Sequence, residues 1–203
     1  MMSLSAEEDQ ALPTYEDVVS AYEQTKGTVK RTPVHTFNGH DVLQKAATAD
    51  GPSPIAALAS KWEEDKLDPV GWWMSEKLDG ERCLWDGRGG LRTRSGNIIH
   101  APPSLMNAMP RGVALDGELW LGRGRFQELM SATRRMDANE AAWRGVTFEV
   151  FDAPMTPGDF SARLSVARAA LSAVGGSGVR LLKQSLCAGH DHVIMELGSV
   201  LAG

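Results

Sequence analysis

The sequence predicts an α+β fold with a largely antiparallel sheet, and three observations predict it. From Trp72 onward, short apolar runs alternate with glycine-bearing turns, the texture of strands. These runs come in clusters instead of taking turns with helices, which argues against a doubly wound parallel sheet. Apolar residues at helical spacing are confined to a few separate stretches. With 203 residues, 42% of them hydrophobic, the chain can bury a substantial core, and no apolar run approaches the length needed to span a membrane.

The elements follow in order. Tyr15, Val18, Val19 and Tyr22 recur at helical spacing, Thr14 and Asp17 form a variant capping pair, and Gly27 stops the run, so a short helix is expected over Thr14 to Lys26. Residues 14–36 also resemble the opening of pyridoxal-phosphate threonine dehydratases and serine racemases, but that family's cofactor lysine segment does not follow. The glycine, two prolines and small residues of ATADGPSPIAA (47–57) read as a linker. A boundary is therefore expected near residue 55, with a short helical extension (1–55) before the main domain (56–203). Strands are expected at Trp72 to Lys77, Arg82 to Trp85, Gly90 to Thr93, Val113 to Trp120, Val146 to Phe151 and Val179 to Lys183. Helices are expected at Phe126 to Arg135, from Phe160 through Leu171 ahead of Gly175, and over Val193 to Leu201.

Charge is unevenly spread. The net charge is −5, yet residues 77–135 carry 10 basic and 6 acidic groups, while residues 1–76 carry 6 and 13. A polyanion would find its Coulomb partner in that central island. The two cysteines, Cys83 and Cys187, are too few for a disulfide framework or a structural zinc site. The acidic opening MMSLSAEEDQ lacks the basic character of a secretory or transit segment, so a reduced intracellular compartment is expected.

The most informative stretch is SEKLDGER (75–82). A strand ending in a turn at Asp79-Gly80 would hold Lys77 at the sheet rim, beside a carboxylate and the guanidinium of Arg82. Lysine attacks phosphorus only as the neutral amine, and a neighbouring cation or metal, with desolvation, would favour that form. The plain alternative is a surface lysine beside a turn. A second element is VALDGELW (113–120). Strand alternation puts Asp116 and Glu118 on one face and Leu115, Gly117 and Leu119 on the other. Paired carboxylates suit a divalent cation or a ribose hydroxyl, and the alternative is a hairpin with solvated acids.

A K-x-D-G-x-R element followed by a D-G-E strand is similar to the covalent nucleotidyltransferases, which comprise ATP-dependent DNA ligases, RNA ligases and mRNA capping enzymes. GWWMSEKLDGERCLWDG, TRSGN and LDGELWLGRGRFQ most resemble compact ATP-dependent DNA ligases, with the likeness running from about Leu58 to Gly203. The resemblance implies an ATP-grasp-like adenylation domain that uses ATP and Mg²⁺ and acts on nicked duplex DNA, with no membrane partner. It implies that Lys77 becomes linked to AMP, and that Asp79 and Arg82 arrange the lysine, ribose and α-phosphate. Arg94 would contact the nucleotide and the 5′-phosphate of the nick. Glu118 would contact ribose or metal, with Asp116 supporting its strand, and Phe151 would stack on adenine with Glu149 on the same strand face.

Other signals are thinner. Arg123 and Arg125 in GRGR either meet DNA phosphates or form a basic hairpin tip. Lys61-Trp62 resembles the lead into the adenine pocket, and a charged helix or loop accounts for it as well. Arg134-Arg135 reads as a solvated helix end. His190 and His192 have no third metal ligand in view, and Cys83 reads as a small buried hydrophobe. The family pattern expects a further E-G-x-M-x-R strand, a lysine-pair strand and an OB-fold, none of which occurs here. The expectation is therefore an incomplete ligase that does not seal nicks alone. Its alternatives are an RNA ligase or capping-type enzyme, or a catalytically dead nucleotide- or DNA-binding remnant.

Overall fold

The computed structural model describes residues 68–175 and 178–202, together with the backbone of two short strands, β1 (Ala47–Thr48) and β2 (Gly51–Pro52). β1 and β2 pair antiparallel, within the stretch read as a linker. The expected helix at Thr14 to Lys26, the boundary near residue 55 and Lys61-Trp62 lie outside the described residues.

The remaining elements are β3 (Trp73–Ser75), β4 (Glu81–Trp85), β5 (Leu91–Thr93), α1 (Pro103–Asn107), β6 (Leu115–Trp120), α2 (Phe126–Thr133), β7 (Thr147–Asp152), α3 (Phe160–Val174), β8 (Val179–Leu181), β9 (Gln184–Leu186) and α4 (His190–Ala202). Five strands form the main sheet in the order β5-β4-β6-β7-β8. Its first three ladders are antiparallel. The fourth is parallel: α3 carries the chain from β7 to β8, because a parallel return needs a crossover element. β3 lies apart from this sheet and pairs antiparallel with β9.

Period-2 alternation gives the sheet one apolar and one polar face. Cys83, Trp85, Leu91, Leu115, Leu119, Phe148 and Val150 are buried on the first, under Leu105 of α1, Leu129 of α2 and Ala167 of α3. Phe148 is fully enclosed, and truncating such a ring to alanine typically costs about 3–5 kcal/mol. The Trp85 indole N–H, on this apolar side, donates to the Pro110 carbonyl at 2.7 Å, so the ring is buried without an orphaned donor. The opposite face carries Arg82, Asp116, Glu118 and Glu149, and the candidate site is built there.

α3 ends as its sequence dictates. Asp159 caps α3 by accepting from the Ala162 N–H at 2.8 Å, and Gly175 closes it in the left-handed conformation, φ 59°. Besides β1 and β2, two elements were absent from the expectations. α1 spans five residues entered through Pro102-Pro103, too short for a helical period to register. β9 has three residues and pairs with a strand more than a hundred positions earlier, which no local pattern reveals. No helix among the described residues is long and apolar enough to cross a membrane.

Candidate active site

The site begins where β3 releases the chain. Leu78 is buried while its neighbours Lys77 and Asp79 are exposed, so one apolar anchor pins the segment and turns the lysine outward. The chain then bends at Asp79-Gly80 before β4. Gly80 presses against β6: a Cβ there would lie 2.1 Å from the Leu119 carbonyl oxygen and 2.7 Å from Glu118 Cγ. The close approach lets the Gly80 N–H donate to Glu118 Oε1 at 3.1 Å. Glu118 thus fastens the turn that carries Lys77, and the lysine charge acts on its carboxyl.

Burial pushes the Glu118 carboxyl up to about 7, against the opposing pull of the Gly80 N–H, Lys77 and Arg82. Arg82 faces Glu118 across the β4–β6 ladder. It grips Asp116 with two bonds, Nε to Oδ1 at 3.1 Å and Nη2 to Oδ2 at 2.6 Å. Burial works against the Arg82 charge, yet Asp116, with Glu118 and Asp152 nearby, holds the guanidinium more firmly protonated than usual. Asp116 is fully buried, so the pair is a structural strut for the site face. This disposes of the hairpin with solvated acids: Asp116-Gly117 lies inside a strand, where a Cβ on Gly117 would meet Phe148 Cε2 at 2.5 Å and the Glu149 carbonyl oxygen at 2.6 Å.

Phe151 reaches the same place by a bulge. Gly117 pairs with Val150 and Asp116 with Asp152, so Phe151 is an extra residue in β7. Its ring lies with Arg82 Cζ 5.2 Å from the centroid, within cation–π range. Asp152, directly after it, is buried and held by Arg163 of α3, Nε to Oδ1 at 2.8 Å. Glu149 faces Glu118 in the register, but its carboxylate is occupied by Arg180 of β8 and by the Thr147 hydroxyl at 2.7 Å.

Arg94 is exposed at the end of β5. With Gly80, Glu81, Arg82, Thr93, Ser95, Phe126 and Met130 it lines an open groove of about 400 Å³. Glu81 Oε2 is buried there without a hydrogen-bond partner among the described residues. Arg123 and Arg125 stand differently: Arg123 binds Glu76 at 2.8 Å and Arg125 binds Glu128 at 2.6 Å, so both guanidiniums have an internal carboxylate. Arg135 is likewise paired with Asp137, while Arg134 is exposed. His192 Nδ1 accepts the Ala188 N–H at 3.0 Å, and no three His, Cys, Asp or Glu side chains among the described residues converge to hold a metal ion. Cys83 is wholly buried, and desolvation, with Asp116 and Glu118 nearby, raises its thiol well above the usual range.

The structure therefore brings Lys77, Arg82, Glu118 and Phe151 onto one face, with Arg94 at its rim and Asp79 in the turn. The sequence reading missed Asp152, Arg163 and Gln184, whose amide donates to the Phe151 carbonyl at 2.9 Å. The Asp after Phe151 was a visible signal for the first, whereas the other two act from elements distant in the chain.

The mixed α+β fold with its largely antiparallel sheet is that of a nucleotidyltransferase-type domain. No protein-family model matches the chain. A curated DNA ligase of Haemophilus influenzae is 32% identical over 130 residues, 64% of this chain and 47% of the relative. A solved structure from a structure-function study of Lig E DNA ligases, concerned with DNA binding by a minimal scaffold, is 30% identical. It covers 71% of this chain and 56% of its own, with a TM-score of 0.64. Over the matched region the chain is similar in sequence and fold to these DNA ligases. It spans about half the length of the curated relative that it matches.

Proposed function

We propose that the chain provides the adenylation step of an ATP-dependent DNA ligase that seals nicks in repair or replication through a lysyl-AMP intermediate. One observation carries this reading. Lys77 projects from a turn fastened by Glu118, beside a face that offers a fixed cation in Arg82 and an aromatic surface in Phe151.

Lys77 Nζ, as the free amine, attacks the α-phosphorus of ATP. The P–N bond forms, the bond to the β-phosphate oxygen breaks, pyrophosphate leaves, and the amine gives up a proton. This covalent step divides one difficult condensation into easier transfers. The AMP then passes to a DNA 5′-phosphate, and a 3′-hydroxyl displaces it. Phe151 offers a stacking surface for adenine. Arg82, positioned by Asp116, presents a cation toward the phosphates, and Asp79 borders the lysine turn. Arg94 has the guanidinium fork suited to a 5′-phosphate. Arg123 and Arg125 can meet DNA phosphates only by exchanging Glu76 and Glu128 for them.

The residues present fit Mg²⁺ in its usual arrangement, where one or two carboxylates share the ion with substrate phosphates. Glu118 is the carboxylate beside the lysine that would take that part. When bound, the ion neutralises phosphate charge.

The test is incubation of the purified chain with α-labelled ATP and Mg²⁺, followed by denaturation. Label that survives on the wild type and disappears in Lys77→Ala supports the reading, and its absence from the wild type refutes it. Substituting GTP for ATP in the same assay, and comparing transfer of the label to DNA and RNA 5′-phosphate ends, tests the choice of nucleotide and polymer.

A further inference from the structure

Lys77 and Phe151 belong to different sheets. Lys77 follows β3, whose partner is β9, whereas Phe151 is in β7 of the main sheet. A nucleotide stacked on Phe151 is attacked by Lys77 only if these two sheets are held at a fixed offset, so what joins them matters for the chemistry.

Glu76 paired with Arg123, Trp73 edge-on to Phe160 and the Gly80–Glu118 bond tie β3 and the lysine turn to the body, and a further join reaches Phe151 itself through one short segment. After β8, the Leu182 N–H donates to the Val150 carbonyl at 2.8 Å, and the chain then peels away from β7 to become β9. The first residue of β9 is Gln184, which pairs with Ser75, two positions before Lys77. Its side-chain amide donates to the Phe151 carbonyl at 2.9 Å. Phe151 stands outside both registers of β7: the β6 pairing skips from Val150 to Asp152, and the β8 pairing ends at Val150. The bulge therefore leaves a main-chain acceptor that neither ladder serves, and Gln184 serves it. Further along, the Cys187 N–H donates to the Trp72 carbonyl at 2.6 Å, and the Gly71 N–H donates to the Cys187 carbonyl at 2.8 Å. These bonds lock β9 to β3 at its other end.

We infer that Gln184 is a positioning residue that fixes the Phe151 main chain against the lysine strand, and so helps to place the α-phosphorus relative to Lys77. The inference rests on the adenylation reading above. Gln184 acts through the Phe151 main chain and through its register with Ser75.

The experiment compares self-labelling of the 203-residue chain by α-labelled ATP in the wild type, Gln184→Ala, Gln184→Glu and Lys183→Ala, each with its melting curve. Gln184→Glu keeps the size and removes the donor. Lys183→Ala removes the neighbouring side chain, an exposed lysine paired with Glu196. The expected result is a fall of about tenfold in the saturating labelling rate for both Gln184 variants. The half-saturating ATP concentration changes far less, the melting temperatures stay within a few degrees of wild type, and Lys183→Ala labels normally. Wild-type rates in both Gln184 variants overturn the inference, as does a loss that only tracks the fraction melted. A wild type that takes no label sinks the adenylation reading itself, an outcome distinct from a silent Gln184 variant beside an active parent.

Discussion

The dipeptide Asp-Gly occurs at both ends of β4 and within β6, and the local sequence gives little warning that these positions do different work. Asp86-Gly87, at the hairpin end, is a turn. Asp86 Oδ1 accepts three main-chain N–H groups, from Arg88, Gly89 and Gly90, at 2.7–2.9 Å, and Gly87 adopts φ 77°, open to glycine at little cost. At the lysine end the glycines serve another purpose. Gly80 and Gly117 have no left-handed backbone, and each instead lets a neighbouring strand come closer than any side chain permits. The hairpin end needs glycine for its positive φ, with Val113 also close at 2.9 Å from a Cβ on Gly87, whereas the site end needs it for missing volume alone. The second use brings Glu118 against the lysine turn and Phe148 across β6.

Substitutions can break this contrast. Gly117→Ala should have the largest effect on stability, about 3 kcal/mol, since its Cβ meets a buried ring and a carbonyl together. A lower denaturant midpoint with an unchanged slope would confirm it, and a midpoint near wild type would show that the sheet relaxes freely. Gly80→Ala should lower stability by about 1–3 kcal/mol, yet reduce Lys77-dependent labelling by about a hundredfold, because the displaced turn carries the nucleophile. Labelling that falls only in step with stability would show that the turn tolerates the shift.

A pH series sharpens the same point. The folded-state pKa of Glu118, about 7, lies above its unfolded value near 4.5, so the native state holds a proton that the unfolded chain releases. Stability from this group is therefore present below about pH 4.5 and declines as pH rises toward 7. Gln at 118 removes that slope. Relative to wild type, Glu118→Gln should gain about 1–2 kcal/mol between pH 5 and pH 8, and parallel pH profiles would contradict the burial argument. The smallest effect is expected at Gly96, which has φ 90° with open space around its missing Cβ. There Gly96→Ala should cost about 1 kcal/mol of backbone strain alone, with labelling unchanged.

Much of the fold was legible because its information is local. Cys83-Leu84-Trp85 and Leu115 to Leu119 carry a strand period, and Phe160 to Leu171 carries a helical period with a stop at Gly175. The lysine turn was legible for the same reason, since its residue types crowd into eight positions. What escaped depends on partners far apart in the chain. Asp152 is an ordinary strand acid until Arg163 reaches it from α3, and Gln184 is an ordinary loop amide until β7 bulges to present a carbonyl. Arg123 looked like a free cation because Glu76, its partner, lies 47 positions earlier.

The two cysteines convert this architecture into a clock. Cys83 is fully enclosed in the main sheet, and Cys187, 2% exposed, lies just past β9. A thiol reagent can modify either only after the protein opens. Under pulsed alkylation, modification of Cys187 ahead of Cys83 would time the detachment of the lysine strap from the body. Simultaneous modification would mean that strap and body come apart as one cooperative unit.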